Sequence, residues 1–225
     1  ILVMAIAAVV ATDLTIGSLV VPGDTATTTN NIKASEMLFR AGIFSWLIVL
    51  ICDVLAAWGL YIFLEPVNKS LSLLMAWLRL VYTAILGAAL FNYVDVLLLV
   101  TGDGYLTAFG TDQLQARVLF SLEAFDATWS IGLAVFGFHI GVLGYLVFKS
   151  GYIPKTFGVL LIVAFFGYFI THFAGLILPD YENFKSIIEW IFIVPMVVGE
   201  VGLAVWLLVK VKSLLMDKDF IRAMT

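Results

Sequence analysis

The chain predicts an all-α polytopic integral membrane protein, a bundle of six transmembrane helices with both termini in the cytoplasm. Three observations carry this. Of 225 residues, 63% are hydrophobic and 12% are charged, against roughly half and a quarter in a soluble domain, and the mean hydropathy is +1.10. The apolar residues fall in long continuous runs, each enough to cross ~30 Å of hydrocarbon, whereas spanning strands would alternate. Lysines gather at alternate connections between the runs, which orients them.

The first span runs from Ile1 to about Val21 and stops at the turn Pro22-Gly23-Asp24. The stretch from Thr25 to Asn31 is polar, and Ser35-Glu36 is a helix start for the second span, Met37 to Leu64. A short turn bearing Lys69 leads to the third span, Leu71 to Val100. Gly102-Asp103-Gly104 marks the next turn, and Thr111 to Arg117 forms an amphipathic lead into the fourth span, Val118 to Phe148. Lys149 to Lys155 connects it to the fifth, Thr156 to Leu178, and the sixth runs from Ile187 to Val209. These spans use nearly all of residues 1–225, so a single domain is expected. The chain opens at Ile1, inside an apolar run without a convincing small-residue cleavage site before Asp13. A missing N-terminal piece is therefore expected rather than a removed signal peptide.

Lys69, Lys149, Lys155, Lys210, Lys212 and Lys218 lie at one set of ends; Asp24, Glu36, Asp103, Asp112, Asp180 and Glu182 lie at the other. Lysine bias puts the first set in the cytoplasm, with Lys33, Arg117 and Lys185 as exceptions. A net charge of −4 without a basic patch excludes nucleic acid as a partner. The one cysteine, Cys52, excludes an intrachain disulfide. There is no H-E-x-x-H, C-x-x-C or P-loop, so no motif implies a cofactor.

The chemistry lies inside the spans. Asp53, Arg79, His139 and Glu200 each lie about ten to twelve residues from a charge at the lysine-rich face, or ~15–18 Å by helix rise. That depth is near the bilayer midplane, where ionisable groups are costly and mark sites, pathways or partners. Asp13 joins the set, about eleven residues before Asp24. Arg79 cannot readily lose its proton and needs a carboxylate. Three acids against one arginine then require a protonated acid, a cationic His139, or a bound cation. An outer polar layer holds Arg40, Asn92, Asp95, Glu123, Asp126 and His172. It reads either as headgroup contacts or as a hydrated vestibule, and His172, Asp95 and Asp126 are weak metal-ligand candidates. Pro195, just before Gly199-Glu200, predicts a disturbed turn in the sixth span.

Three functional readings fit these residues. One is a small transporter or ligand-binding protein with a proton-titratable polar site, Arg79 pairing an acid, Glu200 or Asp53 carrying the proton and His139 relaying it. Another is a membrane-embedded, metal-dependent enzyme acting on a lipid or isoprenoid. The third is a structural or accessory subunit whose charges only set packing. The partners expected are the lipid bilayer and a small-molecule or lipid ligand.

Several short runs also carry a resemblance: Val21-Pro22-Gly23-Asp24, Ala34-Ser35-Glu36, Phe39-Arg40, Pro66-Val67-Asn68-Lys69-Ser70, Arg79-Leu80, Phe138-His139, Ser150-Gly151-Tyr152-Ile153-Pro154, Leu178-Pro179-Asp180-Tyr181, and Gly199-Glu200 leading to Trp206. In order and spacing the chain resembles the prokaryotic multi-pass membrane family catalogued as domain of unknown function 4386. That resemblance implies a helical membrane protein in a bacterial or archaeal cytoplasmic membrane. It carries no activity or catalytic residue.

Overall fold

The computed structural model describes residues 1–215 except 103, 105, 107, 108, 179 and 180. Asp103, Asp180 and Lys218 of the charge pattern lie outside the described residues. Among the described residues seven helical segments follow one another: α1 Leu2–Leu19, α2 Thr25–Ala34, α3 Glu36–Leu64, α4 Lys69–Thr101, α5 Thr111–Lys149, α6 Lys155–Ile177 and α7 Glu182–Leu215. All but α2 are long and apolar enough to cross a membrane. Among the described residues there is no strand. The chain is thus an all-helical, multi-pass membrane protein, as its hydropathy predicts. Large apolar side chains such as Phe44, Trp58, Phe91 and Trp190 point outward, which is the arrangement expected where the surrounding solvent is lipid.

The helix boundaries differ from the predicted ones in three places. Thr25 to Asn31, expected as a polar connection, lies in a helix, Thr25–Ala34, that Asp24 caps: its carboxylate accepts from the Thr27 N–H at 2.8 Å and from the Thr27 hydroxyl at 2.7 Å. Those bonds hold the exposed Asp24 carboxyl below the usual aspartate range. The lead Thr111 to Arg117 is continuous with the fourth span as one helix, α5. The middle of α1, Val10–Ile16, is wound as a π-helix. There the Thr12 hydroxyl donates to the Ala8 carbonyl at 2.9 Å and the Thr15 hydroxyl to the Ala11 carbonyl at 2.8 Å. Hydroxyls that compete for backbone acceptors loosen the i→i−4 ladder.

The residues form two compact units, with α3, α4 and α5 each contributing a half to both. One unit holds residues 3–52 and 84–129. Its core is aromatic: Tyr93 stacks on Phe125 with centroids 3.9 Å apart, Trp46 meets Trp129 edge-on at 4.6 Å, and Phe39 packs edge-on against Tyr93. The other unit holds residues 1–2, 53–83 and 130–225. Here the Ser72 hydroxyl donates to the Tyr61 carbonyl across the α3–α4 turn at 2.8 Å. The Tyr152 hydroxyl donates to the Phe63 carbonyl at 2.9 Å, and burial pushes that hydroxyl up to about 12.

Glycine sets the spacing of the last three helices. A Cβ on Gly158 of α6 would stand 2.8 Å from the Phe148 backbone nitrogen, and one on Gly144 of α5 would stand 2.9 Å from the Gly158 carbonyl oxygen. One on Gly167 would meet the Phe192 Cβ of α7 at 2.7 Å. Such close backbone approach is what small residues permit between helices in lipid.

Candidate functional site

Three of the predicted midplane groups meet. Arg79 of α4 reaches Asp53 of α3, its Nη2 donating to Oδ1 at 2.5 Å. Its Nη1 donates to Nε2 of His139 on α5 at 3.1 Å. The other ring nitrogen, Nδ1, donates to the Met75 carbonyl at 2.9 Å. A guanidinium offers only hydrogens and a carbonyl only lone pairs, so the ring proton is placed on Nδ1 and Nε2 accepts. Asp53, Arg79 and His139 are all buried, at 0%, 2% and 0% exposure. The cluster is closed: one anion faces one cation, and both nitrogens of the histidine are engaged. Asp53 Oδ2 has no hydrogen-bond partner among the described residues.

Glu200 is elsewhere in the same unit. It lies on α7, and its Oε1 accepts from the Tyr168 hydroxyl of α6 at 2.7 Å. The Phe136 ring separates the two polar centres. The Arg79 guanidinium lies 5.4 Å from its centroid, and Tyr168 packs edge-on against it at 5.2 Å.

Glu200 borders a cavity of about 400 Å³ between α6 and α7, whose lining includes Tyr168, Thr171, His172, Met196 and Val197. Thr171 and His172 each lie about one turn beyond Tyr168, at i+3 and i+4 on α6. The Thr171 hydroxyl is buried at 6% exposure and has no hydrogen-bond partner among the described residues. Glu200 is only half-buried, and no hydrogen bond engages its Oε2 among the described residues. Pro195 lies in the same stretch of α7, which stays helical through it. Proline lacks the N–H that would bond four residues back, so the Ile191 carbonyl loses its helical donor.

The remaining predicted residues are distributed as follows. Asp13 sits in the π-helical stretch of α1, exposed and in the other compact unit. Arg40 pairs with Glu36 at 2.6 Å, and Arg117 with Asp95 at 3.1 Å, both at exposed positions. The Asn92 amide donates to the Ala89 carbonyl at 3.1 Å. Glu123 and Asp126 are exposed. His172 Nδ1 lies 3.0 Å from the Ser130 hydroxyl. Among the described residues no three His, Cys, Asp or Glu side chains converge as a metal site requires.

Two residues of the cavity escape the sequence pattern used for prediction, Tyr168 and Thr171. The signal was present: with His172 they make an i, i+3, i+4 polar stripe inside an apolar span. Neither is charged, so a search for midplane charges passes over both.

A family model described as a domain of unknown function (DUF4386) matches residues 1–210. The chain belongs to this family. It is 36% identical over 129 residues to a protein of Archaeoglobus fulgidus described as uncharacterized, a match covering 57% of this chain. The matched region spans 62% of that relative's length. No solved structure matches the chain.

Proposed function

We propose that this membrane protein binds a small molecule in the α6–α7 cavity and carries it in exchange for a proton held on Glu200. The observation behind this is the placement of Glu200: a carboxyl on the wall of a cavity of about 400 Å³, with Tyr168 as its hydrogen-bond partner and Oε2 not engaged. A carboxyl at such depth that can lose or gain a proton without breaking an ion pair suits coupling. Arg79, Asp53 and His139 are assigned the other role, holding α3, α4 and α5 in register. With Nδ1 on the Met75 carbonyl and Nε2 on Arg79, His139 has no nitrogen left to relay a proton. The lysine distribution supports a cytoplasmic-membrane location with both termini inside.

The test is proton flux in proteoliposomes under an imposed pH gradient, with a deproteinised cell extract supplied on the opposite side as the source of the exchanging solute. Glu200→Gln keeps the acceptor for Tyr168 and removes the titratable proton. Flux above that of empty liposomes in the wild type, abolished in a Glu200→Gln protein that remains folded, is the expected result. Undiminished flux in that variant overturns the assignment.

A further inference from the structure

The same cavity carries information about its ligand, and this rests on the reading of Glu200 above. The lining is asymmetric. Ile193, Met196, Val197 and Val201 supply an apolar wall from α7. The same helix adds the Glu200 carboxyl one turn on from Val197, and α6 faces it with the Tyr168 phenol, the unpartnered buried Thr171 hydroxyl and the His172 imidazole, which the Ser130 hydroxyl engages at 3.0 Å.

Two of the apolar lining residues are also among the outward-facing ones. Ile193 is 44% exposed and Val197 is 53% exposed, and both fall in the membrane-crossing part of α7, Trp190–Lys210. A residue that both lines a cavity and faces outward marks its mouth. In a spanning helix that mouth opens sideways to the hydrocarbon, so the ligand enters dissolved in the bilayer.

The polar end selects charge. Arg79 is engaged by Asp53 and His139, and the Phe136 ring stands between it and Tyr168. No cation among the described residues pairs with Glu200. A carboxylate kept in a low-dielectric site without a counter-charge stabilises a cation and disfavours an anion. The Thr171 hydroxyl offers a second acceptor from the facing helix, α6. We infer that the cavity takes an amphiphilic organic cation carrying N–H donors, admitted from the bilayer, its head shared by Glu200 and Thr171 and its apolar body along α7. Binding and protonation of Glu200 are then mutually exclusive, which is the condition for exchange of such a cation against a proton.

The probe is dodecylguanidinium, which stays protonated and has several N–H donors. The readout is modification of Glu200 by dicyclohexylcarbodiimide, a lipid-soluble reagent for protonated carboxyls, followed by peptide mass spectrometry on the full chain in lipid nanodiscs. At a probe concentration about ten times its Kd, the labelling rate falls about tenfold, since only ~1 site in 11 stays open. Dodecanol and dodecanoate at equal concentration leave the rate unchanged. Thr171→Val, each rate taken relative to that variant's own rate without probe, is protected less by dodecylguanidinium than the wild type. A cationic amphiphile also alters the surface potential, but it does so equally for both proteins, so their difference reports the site. Protection by dodecanol or dodecanoate as strong as by the cation, or protection undiminished in Thr171→Val, overturns the ligand class while leaving Glu200 as an accessible titratable group. Absence of Glu200 labelling at every pH overturns the underlying reading and the ligand class with it.

Discussion

The two polar centres of this protein use similar residues for opposite ends. Around Arg79 every charge is answered: Asp53 neutralises it, His139 accepts from it, and all three side chains are sealed from the exterior. Around Glu200 the charge is not answered: one hydrogen bond from Tyr168 reaches it, and a cavity adjoins it. The first arrangement resists change, because altering any member leaves a buried charge or a donor without its partner. The second tolerates change, because protonation of Glu200 breaks no ion pair. On the proposed function, the four ionisable groups predicted at matched depth divide into a lock and a working group. Number and depth alone do not separate them; the partner of each does.

The largest effect that sharpens this contrast is Asp53→Asn. Arg79 would remain buried and charged without its anion, and the loss is about 3–5 kcal/mol, read as a fall in unfolding free energy in detergent or bilayer. Removing both charges together, as Asp53→Leu with Arg79→Met, recovers most of that loss, because a well-packed apolar pair is often as stable as a buried ion pair. If the double variant is no more stable than the single one, the cluster is more than a pairwise lock. Next comes His139→Leu, which strips an acceptor from Arg79 and a donor from the Met75 carbonyl and costs about 1–3 kcal/mol.

Glycine contacts give an effect of the same order in a different place. Gly158→Leu would press a side chain into the Phe148 backbone, with about 1–3 kcal/mol of overpacking and a displaced α6. Because α6 carries Tyr168 and Thr171, carbodiimide labelling of Glu200 changes in that variant as well. Unchanged labelling would mean that the cavity does not depend on the α5–α6 crossing. Tyr168→Phe removes one hydrogen bond and costs about 1 kcal/mol, while making the Glu200 carboxyl easier to reach.

The smallest effect lies outside the spans. Asp24 has its folded pKa below its unfolded one, first through the Thr27 N–H and then the Thr27 hydroxyl. Its contribution is thus fully present above the unfolded aspartate value and is lost as pH falls through the folded one. The thermal midpoint of the wild type declines over that acidic interval more than that of Asp24→Asn, which keeps an acceptor for the cap. Equal declines would remove the cap as the cause.

The six crossings were legible because hydropathy depends on run length and composition, which need no tertiary information. Depth matching was legible for the same reason: helix rise converts residue number into distance. It predicted a shared level for Asp53, Arg79, His139 and Glu200 with Asp13 beside them; the first three meet, Glu200 bonds Tyr168 instead, and Asp13 falls in the other unit. What escaped was the partner of Glu200. Tyr168 is neutral, so charge bookkeeping left Asp53 and Glu200 as equal partners for Arg79 and offered no neutral partner for Glu200. The choice between Tyr168 and Arg79 depends on how α6 and α7 rotate about their axes, and that is settled by Gly158, Gly167 and Phe192 in close packing. The α2 helix escaped because one cap at Asp24 outweighs the weak propensity of a threonine-rich stretch. The π-helical turn holding Asp13 arises from hydroxyl-to-carbonyl bonds that no apolar pattern encodes.

The separation of lock from working group is tested most directly by proton flux in proteoliposomes for two variants measured side by side. Glu200→Gln and the apolar double variant Asp53→Leu/Arg79→Met are compared at equal amounts of folded protein. The division predicts that the double variant retains flux and Glu200→Gln loses it. Flux lost in the double variant and retained in Glu200→Gln would contradict it.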